Sequence, residues 1–132
     1  MNYRPIIIVA GEPNSIFFEI FFKALKTKKF KSPIILVASL SLLKLQMNKL
    51  GLKKKIKLIN LTLLKNLKLN NRSINLINIK YNQKKPFEKL SSKSNTYIKQ
   101  SFELALKILK KKITNKFING PISKKFFLKN KF

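Results

Sequence analysis

The chain has 132 residues, no cysteine, no histidine, and 30 basic residues against four acidic ones, which gives a formal net charge of +26. This length suits one domain, and a hydrophobic content of 45% is enough to fill a single core. The lack of cysteine and histidine excludes disulfides, thiolate chemistry, histidine proton transfer and the usual transition-metal sites.

The charge by itself favours binding to a polyanion. All but two of the 30 basic residues are lysine, however, whereas proteins that read bases and phosphates use arginine heavily. Excess lysine together with asparagine, isoleucine, leucine and phenylalanine is what an A/T-rich genome produces, and we favour that explanation. No apolar run reaches about 20 residues and the N-terminus lacks a signal-peptide pattern, so we expect a cytoplasmic protein.

The first half of the sequence alternates predicted strands and helices. Residues 5–9 and 34–38 are apolar runs typical of strands buried on both faces. A helix is predicted after each, the first capped by Asn14 or Ser15, the second capped by Ser39 or Ser41 and ended by Gly51. The residues predicted to face inward are Ile16, Phe17, Ile20, Phe21, Ala24, Leu25, Leu43, Met47 and Leu50. This order predicts parallel strands joined by right-handed crossovers.

The second half of the sequence is less regular. Residues 55–59 and 74–79 are weaker strand candidates, the Leu/Lys/Asn stretch 60–72 between them has no assignment, and residues 82–94 predict a polar loop. A long helix is expected from Asn95, capped by Ser94 or Asn95. Its predicted inward face consists of Ile98, Phe102, Ala105, Leu109 and Ile113. A short strand at 117–118 and a helix beginning near Ile122 complete the prediction.

Two turns that follow predicted strands are the candidate functional sites: the first turn, residues 11–13, which contains Glu12, and the second turn, residues 120–124, which begins with Gly120. In open parallel sheets, ligands bind beyond the carboxyl ends of the strands, where a glycine lets a ligand approach the backbone. Ser123 or Lys124 could meet a phosphate there. A plain strand-to-helix connection is the simpler interpretation of either turn taken alone. The ligand-proximal candidates are Gly11, Glu12, Pro13, Gly120, Pro121, Ser123 and Lys124; no residue is assigned as catalytic or as a metal ligand.

Two carboxylates lie in or just after the first turn of a chain that has only four. Glu19 is also explained as an acid in the first turn of a helix, where the helix dipole favours it. Glu12 lies outside any predicted helix, so this explanation does not apply to it, and it is the stronger candidate.

Taken in order, the motifs resemble those of the 4-hydroxythreonine-4-phosphate dehydrogenase family. Residues 6–19 are similar to its opening Thr-x-Gly-Glu-Pro-Ala-Gly-Ile-Gly-Pro-Glu motif, and residues 119–124 to its Thr-Gly-Pro-[Ile/Val]-x-Lys turn. Weaker similarities cover residues 42–52, and Ser91 with Ser94 and Asn95. The departures are Ser15, Phe17 and Phe18 in place of Gly, Gly and Pro, Ser39 in place of Asp, and Asn119 in place of Thr.

The resemblance implies a partial isocitrate/isopropylmalate-dehydrogenase-like α/β fold, a mostly parallel sheet flanked by helices, with residues 1–132 as one incomplete domain. It also implies an oxidoreductase of vitamin B6 (pyridoxine) biosynthesis that oxidises 4-phosphooxy-threonine with NAD, followed by decarboxylation, and uses a divalent metal. The family's Gly-His-Thr-Glu segment and its three metal-binding histidines have no counterpart in these residues. We therefore expect a truncated, inactive product that binds neither cofactor alone.

As partners, the resemblance implies a complementary C-terminal fragment or a second copy of the chain, and the charge implies non-specific binding to polyanions. The alternative function is a small lysine-rich RNA-binding protein, which would place lysines on one face and expose aromatic rings for stacking. Phe17, Phe21 and Phe102 fall on predicted apolar faces, which argues against it. Phe126, Phe127 and Phe132 fit better as an interface with a missing half.

Overall fold

A computed structural model of the chain describes residues 3–66 and 68–127, with the side chains of 66, 126 and 127 outside the description. Its centre is a parallel sheet of five strands in the order β3-β4-β2-β1-β5. The strands are β1 (Ile6–Val9), β2 (Ile34–Ala38), β3 (Ile56–Leu58), β4 (Ile74–Asn78) and β5 (Lys116–Asn119). The predicted α/β class with a parallel sheet is confirmed.

The helices cover both faces of the sheet. They are α1 (Phe17–Thr27), α2 (Leu40–Leu50), α3 (Asn95–Lys110) and the short α4 (Lys124–Phe127). Helices α1 and α2 pack on one face, against a core that includes Ile8 and Leu36. Helix α3 packs on the other face, against Ile7 and Val37. Every residue of β2 is buried, as expected for a central strand of a parallel sheet.

The buried face of α1 differs from the prediction. Phe21 is buried as predicted, but Ile16 and Ile20, also predicted to face inward, are 63% and 55% exposed. Phe18 and Phe22, which the spacing did not select, are buried instead. Apolar residues occur on two sides of this helix, so periodicity alone does not select the inward side. The phenylalanines occupy the core because each removes more apolar area from water than an isoleucine does. Their rings also pack edge to face, with the Phe21 and Phe22 centroids 5.7 Å apart.

Two smaller corrections concern α2 and α3. Leu50 and Leu109 are half-buried, not in the core. In α3, Ile108 is fully buried in place of Leu109, and it continues the buried face set by Ile98 and Ala105. Phe102 and Ile113, also predicted to face inward, are half-buried and pack against the edge of that core.

The helix ends test the predicted caps. Ser39 caps α2 by accepting from the N–H of Leu42, and Gly51 ends it in the left-handed conformation, both as predicted. Ser15 accepts from the N–H of Phe17 at 3.2 Å, although the residue at the N-cap of α1 is Ile16. At α3 the predicted Ser94 occupies the N-cap position, but its side chain makes no capping hydrogen bond. A 3₁₀ turn, Ser92–Ser94, leads straight into the helix, and Ser91 caps that turn.

The stretch without an assignment contains a 3₁₀ helix, Leu61–Asn66, whose Leu64 is buried under the α3 side of the sheet. The last helix begins at Lys124, two residues after the predicted start. Phe132 and the side chains of Phe126 and Phe127 lie outside the described residues. No helix in the described part of the chain is long and apolar enough to cross a membrane.

Candidate functional site

The two predicted turns lie side by side at the carboxyl edge of the sheet, because β1 and β5 are neighbours in register. Ile8 pairs with Ile118 and Val9 with Asn119, so both chains leave the sheet at the same level. The N–H of Gly120 donates to the Val9 carbonyl, and the N–H of Glu12 donates to the Pro121 carbonyl, both at 2.7 Å. The turns therefore form one hydrogen-bonded unit.

Both glycines of this unit are required by the close approach of the two backbones. Gly11 has φ +76°, and a Cβ there would lie 2.5 Å from the Pro121 carbonyl oxygen. A Cβ on Gly120 would overlap the Ala10 carbonyl oxygen. The two glycines thus allow close contact between the two turns. That they also let a ligand approach the backbone stays a prediction.

Glu12 is buried, with 4% of its surface exposed, and it points toward the start of α3. Its Oε1 accepts a hydrogen bond from the Ser94 hydroxyl at 3.0 Å. Burial raises the pKa of Glu12 above its ordinary value of 4.5, and the Ser94 hydrogen bond opposes that rise. Ser94 lies at the N-cap of α3 but makes no side-chain capping hydrogen bond there.

A second set of hydrogen bonds ties the first turn to the loop after β4. Asn14 Oδ1 accepts from the N–H of Glu88 at 2.9 Å and from Gln83 Nε2 at 2.8 Å. The fully buried Gln46 of α2 donates to the carbonyls of Pro13 and Pro86, each at 2.8 Å. These contacts make the turn, α2 and the loop a single polar network, in which sequence reasoning had singled out neither Gln46 nor Gln83.

The end of β2 joins the same edge. Ser39 donates from its N–H to the Tyr97 hydroxyl oxygen at 3.1 Å, and its own hydroxyl donates to the Tyr81 carbonyl at 2.7 Å. The rings of Tyr81 and Tyr97 lie 5.0 Å apart. Burial raises the pKa of both phenols, and the nearby Glu12 carboxylate adds to that rise. Both tyrosines are therefore neutral hydrogen-bonding groups at physiological pH.

A cavity of about 880 Å³ opens beside this network, between the loop after β4 and the start of α3. Lys84, Lys85, Lys89 and Lys93 line it, with Glu88 as the acidic residue among the lining side chains. The excess of cations suits an anionic ligand. The sequence carried a signal for it, since these four lysines occur within the predicted loop 82–94.

The remaining candidates are less buried. Pro121 and Lys124 are exposed, and Ser123 is half-buried. Among the described residues, Lys124 contacts no carboxylate. Helix α4 has four residues, too few to present a developed helix N-terminus to an anion. The structure brings together Gly11, Glu12, Pro13, Gly120 and Pro121, but it gives Ser123 and Lys124 no described contact with them.

The carboxylates do not assemble into a metal site. Within residues 3–66 and 68–127, no three side chains of the His, Cys, Asp or Glu type come together. Glu19 pairs with Lys23 at 3.6 Å, Glu103 with Lys99 at 3.9 Å, and Glu12 with Ser94. The residues present therefore do not fit the divalent metal implied by the resemblance.

Known proteins resemble this chain in fold but not detectably in sequence. No family model matches the sequence, and no curated protein matches it significantly. Solved structures do match: a 4-hydroxythreonine-4-phosphate dehydrogenase from Burkholderia phymatum has a TM-score of 0.78 at 17% identity, over 95% of this chain. A putative enzyme of the same name from Salmonella typhimurium and one from Klebsiella pneumoniae also give 0.78, at 18% and 15% identity, over 94% of this chain.

The match covers only part of each neighbour. The chain corresponds to 38% of the Burkholderia phymatum chain and to 39% of the other two. At this level of identity the likeness concerns the fold, and at that level the predicted similarity to this group of dehydrogenases is confirmed.

Proposed function

We propose that this chain forms the N-terminal part of a 4-hydroxythreonine-4-phosphate dehydrogenase, an enzyme that oxidises 4-phosphooxy-threonine with NAD in vitamin B6 biosynthesis. The observation that carries the proposal is the fold shared over 95% of the chain at a TM-score of 0.78. Two details support it. The residues that resemble the family's two specific motifs form one hydrogen-bonded unit, and this unit lies at the edge of the sheet where parallel α/β folds bind ligands.

Within this proposal, the chain contributes the binding of an anionic substrate. The cavity beside the Glu12 turn has four lysines, which would attract a phosphate ester and hold it by charge-assisted hydrogen bonds. Its wall is fixed by the bonds that Asn14 and Gln46 make to the loop. A preformed, cationic wall lowers the ordering cost of binding.

The cofactors would be held elsewhere. The described carboxylates do not assemble around a metal, and the chain has no histidine. A protein of these 132 residues alone is expected to have no dehydrogenase activity, and NAD together with the metal would require residues that these 132 do not include.

A surface suited to the rest of the enzyme lies beside β5. Within the described chain β5 pairs only with β1, so its outer edge is open. Ile118 on this strand is 53% exposed, and on α1 nearby Ile16 and Ile20 are 63% and 55% exposed. Open strand edges with exposed apolar neighbours invite pairing. Because the chain matches only 38% of its neighbour's length, we propose that the remainder of the fold covers this surface.

The experiment that tests the proposal begins with the protein in the cells that make it. Sequencing the transcript and measuring the intact mass of the native protein would show whether further residues are joined to these. The purified native product would then be assayed for NAD reduction with 4-phosphooxy-threonine and a divalent metal. A longer product, or a complex with a second chain, that reduces NAD would support the proposal.

A native product of these residues alone, without a co-purifying chain and without NAD reduction, would contradict the enzymatic proposal and leave only shared ancestry. If a longer or paired product is found, Ile118→Lys is expected to impair its assembly, whereas Leu106→Lys, at an equally exposed position on α3, should not.

A further inference from the structure

A second basic cleft lies at the opposite edge of the sheet, among the amino ends of β3 and β4. It encloses about 450 Å³ and is lined by Lys55, Lys57, Asn70, Arg72, Ser73 and Asn75. Because all strands are parallel, this edge is remote from the turns at the carboxyl ends. The cleft therefore has no part in the proposed dehydrogenase site.

The cleft is assembled by the fold from separate segments of the chain. Lys57 on β3 lies in register with Asn75 on β4, and the Lys55 carbonyl accepts from the N–H of Ile74 at 2.8 Å. These pairings place Lys55 and Lys57 beside Arg72, which enters from the turn before β4. Arg72 is one of two arginines in the chain, so this cleft holds the residue type best suited to bidentate phosphate contact.

The rim around Arg72 is fixed by asparagine side chains. Asn70 Oδ1 accepts from the Arg72 N–H at 2.9 Å, and the buried Asn75 donates from Nδ2 to the Asn70 carbonyl at 2.9 Å. The next residue, Asn71, accepts from the N–H of Ile34 at 2.8 Å and donates to the Ser32 carbonyl at 2.9 Å. The backbone that carries Arg72 is thus held in place before any ligand arrives.

The lining decides the class of ligand. Three side chains are cationic, Asn70 and Ser73 add neutral donors, and among the described lining residues none is acidic or aromatic. A cluster of cations with no nearby carboxylate concentrates anions. Without an aromatic ring there is no platform for base stacking, so the ligand must be held through its phosphates.

We infer that this cleft binds an oligophosphate, a linear chain of two or more phosphate groups such as that of a nucleoside triphosphate or of inorganic polyphosphate. The Arg72 guanidinium makes a bidentate contact with one phosphate, and Lys55 and Lys57 neutralise the adjacent phosphates. Three cations line the cleft, so that more than one phosphate of the chain can be neutralised there.

The test is a titration of the full chain with tripolyphosphate at about 0.15 M salt, where contacts with scattered surface charges are largely screened. The variant Lys55→Gln/Lys57→Gln/Arg72→Gln is expected to bind at least about tenfold more weakly. A matched control, Lys44→Gln/Lys49→Gln/Lys107→Gln, removes three exposed helical charges outside the cleft and should change the affinity less than about threefold. Arg72→Lys keeps the charge but loses the fork, and should weaken binding by about threefold.

Equal weakening in the cleft variant and the control would overturn the inference, because it would assign binding to net charge. No binding by the unaltered chain, or unchanged affinity in Arg72→Lys, would also overturn it. Two competitors distinguish the sources of the phosphates. Inorganic polyphosphate and a nucleoside triphosphate are each titrated against bound tripolyphosphate, and the one that displaces it at the lower concentration is the favoured source. Displacement by neither would overturn the inference.

Discussion

At the scale of single residues, Glu12 is a buried carboxyl group with a raised pKa at the carboxyl edge of the sheet. Because burial raises its pKa, the folded chain holds the Glu12 proton more tightly than the unfolded chain does. Below the ordinary value of 4.5 both states are protonated, and the buried charge costs nothing. As the pH rises above 4.5, the unfolded chain loses the Glu12 proton first, and the contribution of Glu12 to the free energy of unfolding falls until the folded chain has lost the proton too.

Glu12→Gln should remove this pH-dependent loss of stability, because the amide does not ionise, and its oxygen still accepts a hydrogen bond from Ser94. The stability of the variant relative to the unaltered chain is expected to grow between pH 4 and pH 8, measured by urea unfolding at each pH. The tyrosines with raised pKa values ionise above this range. A stability difference that is flat with pH would contradict the raised pKa of Glu12.

Ser94→Ala is the complementary change, because it leaves the buried carboxylate without its hydroxyl donor. It should lower the free energy of unfolding at pH 7 by about 1–3 kcal/mol. Ser92→Ala, at an exposed position in the same 3₁₀ turn, serves as its control and should have a small effect. Equal effects of the two substitutions would show that the hydrogen bond to Glu12 contributes no stability.

At the scale of elements, the two turns after β1 and β5 are held together by backbone hydrogen bonds and close packing. Gly120→Ala forces a methyl group against the Ala10 backbone, and the expected cost is about 3 kcal/mol in the free energy of unfolding. Gly51→Ala is the control: φ there is +68°, but open space surrounds the position, so only conformational strain of about 1 kcal/mol is expected. Thermal or chemical denaturation would rank the two variants, and a reversed order would contradict the close packing of the turns.

Gln46 also connects separate elements, because its hydrogen bonds link α2 to the first turn and to the loop after β4. Gln46→Leu leaves the Pro13 and Pro86 carbonyls without this donor and should cost about 2 kcal/mol. Hydrogen exchange in the loop 82–90 is expected to accelerate. Gln100→Leu, on the exposed side of α3, should leave both quantities nearly unchanged. Unaltered exchange in the Gln46 variant would show that the loop is held by other contacts.

At the scale of the whole molecule, the net charge of +26 opposes the compact state through self-repulsion. Added salt screens this repulsion, so the Tm should rise between about 0.01 M and 0.3 M sodium chloride. A gain of about 1 kcal/mol would correspond to a rise of roughly 3–6 °C for a chain of this size. A Tm that falls or stays level over this range, measured by circular dichroism, would show that self-repulsion does not limit stability.

The sequence by itself determined the parallel α/β order, the strands β1 and β2, the cap at Ser39 and the end of α2 at Gly51. These features follow from local rules, because apolar runs bounded by turn residues, capping side chains and left-handed glycines act over a few positions. The sequence also singled out the Glu12 and Gly120 turns as candidate sites, through their resemblance to two motifs of one family.

Only the tertiary structure decided which side of α1 is buried, what the glycines contact and what Glu12 binds. Helix α1 has apolar residues on two sides, and competition for the core selected Phe18, Phe21 and Phe22 over Ile16 and Ile20. Ser94 lies 82 positions from Glu12, and Arg72 joins Lys55 and Lys57 through strand pairing. Such partners depend on the register and packing of distant segments, which local patterns along the chain do not specify.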